Sequence, residues 1–155
     1  MKLFEDLYAF SDGKINKAIG VLITNPCFHS VLLYRLSSFF YKKKLKILAK
    51  IVWYINRIVF SVDIDYRAKL SGGLVLIHGI GTVIGKDVIS KGRLYVYQGV
   101  TIGGSGFSKV LDGNEIWQPI IEDGVRIYTN ALVLGPIHIG KNETIKAGER
   151  VTRDR

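Results

Sequence analysis

Along the second half of the chain, apolar side chains recur every six residues. Ile121, Ile127, Val133, Ile139, Ile145 and Val151 follow that spacing without a break, and Ile84, Ser90, Val96 and Ile102 keep it before them. Helices repeat near roughly 3.6 residues and strands at about 2, so neither explains the pattern. A parallel β-helix does, because each hexapeptide makes one short flat face and a corner. Ile64, Leu70 and Leu76 open the series, and the register slips by two before Ile84. Positions four further on are apolar or small as well: Ala68, Leu74, Ile80, Val88, Leu94 and Val100, then Val125, Ala131 and Ile137. Two inward residues per hexapeptide predict a narrow triangular interior, about eighteen residues to a coil. Residues 62–155 then give about five coils. The register breaks again between Ile102 and Ile121, so residues 104–119 are expected to form a loop replacing roughly one coil. Glu143 and Glu149, standing at inward positions, are expected to mark the polar end of the stack.

Residues 1–61 carry helical periodicity instead and are expected to form a separate helical domain. Residues 3–10 and 14–23 read as short helices. Asn25-Pro26 then supplies an N-cap and a proline for the first helical position. The helix that follows ends on Lys42, Lys43 and Lys44, a favourable sign of charge for a helix C-terminus. The stretch LKILAKIVWYINRIVFSV is the most apolar in the chain, but Lys46, Lys50, Asn56 and Arg57 interrupt it. It is therefore expected to be amphipathic and not to span a bilayer. Its apolar face either packs on the rest of the protein or, with Trp53, Tyr54 and the lysines, touches an anionic membrane through residues 42–60.

Charge is placed unevenly. Residues 1–60 hold ten Lys/Arg against three Asp/Glu, whereas residues 61–155 hold twelve against ten. A solvated face, an anionic membrane and an anionic glycan acceptor each account for the basic third. Nucleic acid is not expected, since neither a basic-aromatic sheet face nor zinc spacing appears. The single Cys27 excludes an internal disulfide and fits a reducing compartment. Glu5 and Asp6 stand where a signal peptide has a basic region. The expected location is the cytoplasm, at the inner face of a membrane. Only His78 and His138 fall in the coil, sixty residues apart, so a zinc site of several histidines is not expected.

VDIDYRAKLSGGLVLIHGIGTVIG followed by YQGVTIGGSG resembles the hexapeptide-repeat acyltransferases, specifically the serine acetyltransferase branch. The resemblance covers about residues 60–152. The preceding helices, with NPCFHSVLLYRLSSFF, look more like short relatives that O-acetylate capsule and exopolysaccharide sugars. The resemblance implies a mainly β fold, a left-handed parallel β-helix after a small α-helical domain, assembled as a homotrimer and using acetyl-CoA without a metal. It puts His78 at the catalytic histidine and Asp63 at the aspartate that orients it. Gly103 and Gly104 match glycines near the thioester. CoA is expected in a groove between coils of two subunits, against Tyr128, Thr129 and Asn130.

Three acceptor positions depart from the branch. Ile77 replaces an aspartate that contacts the amino-acid substrate, and Trp117-Gln118 replaces an Arg-His pair. Gln118 can hydrogen-bond a sugar hydroxyl and Trp117 can stack on a sugar ring or plug the loop. The expected reaction is acetyl transfer to a saccharide hydroxyl, with a neutral imidazole, His78, as general base and backbone N–H groups around Gly103 and Gly104 holding the oxyanion. Serine O-acetylation, and a catalytically reduced trimeric binding module, are the alternatives. An eighteen-residue coil sets residue 81 above residue 63, so a His78–Asp63 contact depends on bending at the corner.

Overall fold

The computed structural model describes residues 2–111 and 113–155. Four helices come first: α1 (Lys2–Ser11), α2 (Ile15–Thr24), α3 (Pro26–Lys42) and α4 (Lys46–Phe60). Asn25 caps α3 as its sequence suggests, its side chain accepting a hydrogen bond from the Phe28 N–H at 3.0 Å. Short strands follow. The first face of the coil stacks β1 (Asp63–Ile64), β4 (Val83–Ile84), β7 (Thr101–Gly103), β12 (Leu132–Leu134) and β15 (Arg150–Val151). The second stacks β2 (Lys69–Leu70), β5 (Ile89–Ser90), β10 (Ile120–Ile121) and β13 (His138–Ile139). The third stacks β3 (Leu74–Ile77), β6 (Leu94–Tyr97), β11 (Val125–Ile127) and β14 (Thr144–Ile145). Every pairing within these faces is parallel, which gives four full coils and the first strand of a fifth.

Columns of like residues fill the interior. Ile64, Ile84, Ile102, Val133 and Val151 lie over one another, as do Leu76, Val96, Ile127 and Ile145. All nine are buried. Upper coils advance by eighteen residues, as between Ile121 and Ile139, but the first turn takes twenty: Ile64 pairs with Ile84, and Asp63 with Val83, not residue 81. The two extra residues bulge at the corner after β3. There Ile80 is pushed out to 67 % exposure and Thr82, fully buried, takes the inward place expected of Ile80.

The segment after Ile102 does not replace a coil. Ile102 pairs directly with Val133, 31 residues on, so thirteen residues beyond the usual eighteen are inserted at one corner while the stack continues. The insertion carries an antiparallel hairpin, β8 (Lys109–Leu111) with β9 (Asn114–Ile116).

An open coil end exposes unpaired strand edges, and α1 and α3 cover the lower one. Tyr34 donates to the Ala68 carbonyl at 2.8 Å, and Arg35 reaches the carbonyls of Leu70 and Ser71. Buried Asp6 accepts from Arg35 and from the Leu74 N–H. Val31 and Tyr34 belong to the same apolar cluster as the coil interior. Helix α4 packs along α3 and β1. Among the described residues no single helix is long and apolar enough to cross a membrane; α2 and α3 together meet the length and composition but are bent by 76°.

Candidate active site

His78 lies on the bulged corner between the third and first faces. It occupies the left-handed region at φ 64°, a strained place for a residue with a Cβ, and Gly79 and Gly81 beside it also have positive φ. Its imidazole is exposed and makes no hydrogen bond or ion pair among the described residues. A cavity of about 240 Å³ opens next to it, lined by Cys27, Ser30, Phe60, Val62 and Ile80. The half-buried Cys27 Sγ stands 3.6 Å from where a Cβ on Gly79 would be. Burial pushes that thiol up, with the His78 backbone N–H acting in the opposite sense. A thiol held protonated is a packing group and not a nucleophile.

The expected His78–Asp63 contact is not made. Asp63 Oδ1 accepts from the Trp53 indole N–H at 2.9 Å, and its Oδ2 faces Arg57 at 3.6 Å. The twenty-residue first turn accounts for this: Val83 stands above Asp63, and His78 is five residues earlier on the bulge. Asp63 therefore ties α4 to the first strand.

Above His78, a column climbs the same corner. Ile77 pairs with Tyr97, and the rings of Tyr97 and Tyr128 stack at 4.6 Å. Gln98 sits one step further on: its backbone carbonyl accepts from the Asn130 N–H, while its side-chain Oε1 is buried without a partner among the described residues. Thr129 accepts from the Gly148 N–H. Asn130 has φ 58° and turns its side chain onto Gly99, where a Cβ would lie 2.0 Å from its Oδ1. Ile77, His78, Tyr128, Thr129 and Asn130 thus share one edge of the prism. Tyr97 and Gln98 join them; the two-residue slip, carried one coil up from Ile77 and His78, is the signal that locates them.

Gly103, Gly104, Trp117 and Gln118 lie elsewhere, where the first face turns into the second. Gly103 pairs with Leu134, and Gly104 borders the Trp117 carbonyl and the Gln118 side chain. Gln118 Oε1 accepts from the Asp87 N–H at 3.2 Å and fills the space left by Gly85, where a Cβ would lie 2.2 Å from it. Within one protomer, then, Gly103, Gly104, Trp117 and Gln118 do not meet His78, and of the expected acceptor positions Ile77 alone stands beside it. No cluster of three or more His, Cys, Asp or Glu able to hold a metal occurs among the described residues.

No protein-family model matches the chain. The serine acetyltransferase of Helicobacter pylori strain J99 is 30 % identical over 148 residues, which span 87 % of this chain and 86 % of that protein. The chain belongs to the serine acetyltransferase family. That of Synechococcus elongatus is 32 % identical over 92 % of the chain but only 57 % of its own length, so the chain spans little more than half of this longer relative. The crystal structure of Neisseria gonorrhoeae serine acetyltransferase in complex with serine superposes with a TM-score of 0.86 at 33 % identity, covering 99 % of this chain and 61 % of that one. A serine acetyltransferase in complex with CoA is among the other similar structures. The fold is accordingly the left-handed parallel β-helix with a small helical region before it.

These matches overturn the saccharide acceptor. The relatives are serine acetyltransferases over both helices and coil, not polysaccharide enzymes. The acceptor reading rested on Ile77, Trp117 and Gln118, and Gln118 spends its side-chain oxygen on the corner at Gly85 and Asp87. Its chemistry there is explained without a sugar.

Proposed function

We propose that the protein is an acetyl-CoA-dependent serine O-acetyltransferase. The observation that carries this reading is the 30 % identity to the Helicobacter pylori serine acetyltransferase over nearly the whole of both chains. The overlay on a serine-bound relative and the existence of a CoA-bound one accord with it.

In the proposed reaction His78 takes the proton of the serine hydroxyl as its oxygen attacks the thioester carbonyl. The C–S bond then breaks, and the proton passes from the imidazolium to the CoA thiolate. His78 suits that task by position: it is exposed, without a side-chain partner among the described residues, and beside a cavity. CoA is assigned to the edge bearing Tyr128, Thr129 and Asn130, and Gly103 and Gly104 to the oxyanion.

Since Gly103, Gly104, Trp117 and Gln118 lie on a different edge from His78, the site is assigned to the seam between neighbouring copies in a homotrimer. Asp63 takes up the orienting role only if its contacts with Trp53 and Arg57 are exchanged. A cytoplasmic location is proposed with the reaction.

Release of free CoA from acetyl-CoA on adding L-serine tests the activity. No release above the serine-free rate would overturn it. Light scattering tests the assembly, with three times 17.3 kDa expected in solution.

A further inference from the structure

Helix α4 is built inside out. It buries Ala49 and Asn56 and half-buries Val52, Trp53 and Phe60, which lie together on one side. Its large aliphatic side chains point away from the protein. Ile47 is 78 % exposed, Ile58 64 % and Tyr54 59 %, and Ile51 and Ile55 lie open between them. At 3.6 residues per turn these five occupy an arc of about 100°. Lys46, Lys50 and Arg57 form a second exposed strip along one border of that arc. Packing on the rest of the protein therefore does not explain the apolar face, and Trp53, engaged with Asp63, is no part of it.

The charges around the stripe indicate what covers it. Residues 26–60 hold seven Lys or Arg and no Asp or Glu. Lys42, Lys43, Lys44, Lys46 and Lys50 make no ion pair among the described residues. A second copy seated on this face would bring cation against cation. An anionic lipid surface offers both the apolar layer for the stripe and the negative charge for the lysines. With fifteen residues the helix is too short to span a bilayer but long enough to lie along its surface. We infer that α4, with the lysines at the end of α3, is a peripheral docking surface for anionic membranes. This inference is independent of the acetyl-transfer reaction.

Co-flotation of the full chain with vesicles tests it. Binding is expected to phosphatidylcholine vesicles that contain phosphatidylserine and not to pure phosphatidylcholine, and it should fall at high salt as charges are screened. Ile51→Glu with Ile58→Glu should abolish flotation while leaving the circular-dichroism spectrum and CoA release unchanged. Lys43→Glu with Lys44→Glu should weaken binding by at least about fivefold per lysine, and this pair keeps the test valid if the first variant fails to fold. Equal binding to neutral vesicles would overturn the inference, as would no binding to either. So would a larger assembly, without lipid, that the isoleucine variant dissociates; that result would assign the face to a second copy.

Discussion

His78 combines three properties that local sequence does not reveal together: a left-handed backbone, an exposed ring and no side-chain partner among the described residues. Its replacement by alanine should therefore leave thermal unfolding unchanged while CoA release falls by about 10²–10⁴-fold, the usual worth of a positioned base. Ile77 stands in the column beneath Tyr97, next to His78. Restoring a carboxylate there with Ile77→Asp should raise kcat/KM for L-serine by about tenfold, mostly through KM, since one charge-assisted hydrogen bond supplies that much. A steady-state comparison of the variant with the parent reads this directly; an unchanged KM would remove Ile77 from the acceptor site. Asp63 shows how a residue can match a pattern and yet face elsewhere. Its spacing to His78 was readable in the sequence, but the Trp53 and Arg57 side chains that occupy its carboxylate come from a helix whose docking no spacing rule describes.

Among the elements, the lower end of the coil depends on α1 through one carboxylate. Asp6 is fully buried and neutralises Arg35 while also holding the Leu74 N–H. Asp6→Ala should cost about 3–5 kcal/mol in a urea titration, because it leaves a largely buried guanidinium without its counter-charge and a buried strand-edge N–H without its acceptor. At the other end, Asp154 fastens the inserted hairpin to the coil. The His138 backbone N–H, and then Lys109, hold its carboxyl below the usual carboxylate range. A depressed folded value stabilises at pH above the unfolded carboxylate's and is lost as pH falls through the folded one. This tie should therefore fade only under acid conditions. Since Asp154 is exposed, Asp154→Asn should flatten the acid limb of a thermal-stability profile by less than about 1 kcal/mol. The hairpin is not legible as strands in the sequence: its residues carry no six-residue period, and among the described residues β8 and β9 pair only with each other.

At the scale of the whole molecule, the coil is rigid where its columns are unbroken. Ile102 is buried between Ile84 and Val133 in the longest column, so Ile102→Ala should cost about 2–5 kcal/mol by the cavity it leaves. Chemical denaturation of the purified variant measures that loss. The residues assigned to the proposed reaction gather at the two prism edges where the columns slip. One carries His78 and the stacked tyrosines, the other Gly104 and Gln118. Their separation within a protomer is why the proposed reaction is assigned to a seam between copies in the proposed trimer.

The sequence alone determined the coil. Inward positions must be apolar or small and a narrow triangular interior admits two per face, so the ladder from Ile64 to Val151 is legible in the sequence. The same logic located both slips and the N-cap at Asn25. What the tertiary structure decided was everything that depends on one element meeting another. Thr82 displaces Ile80 because the bulge adds two residues, Asp63 turns to Trp53, and α4 leaves its aliphatic face in the open. Periodicity reports which side of a helix is apolar; only packing determines whether that side faces the core.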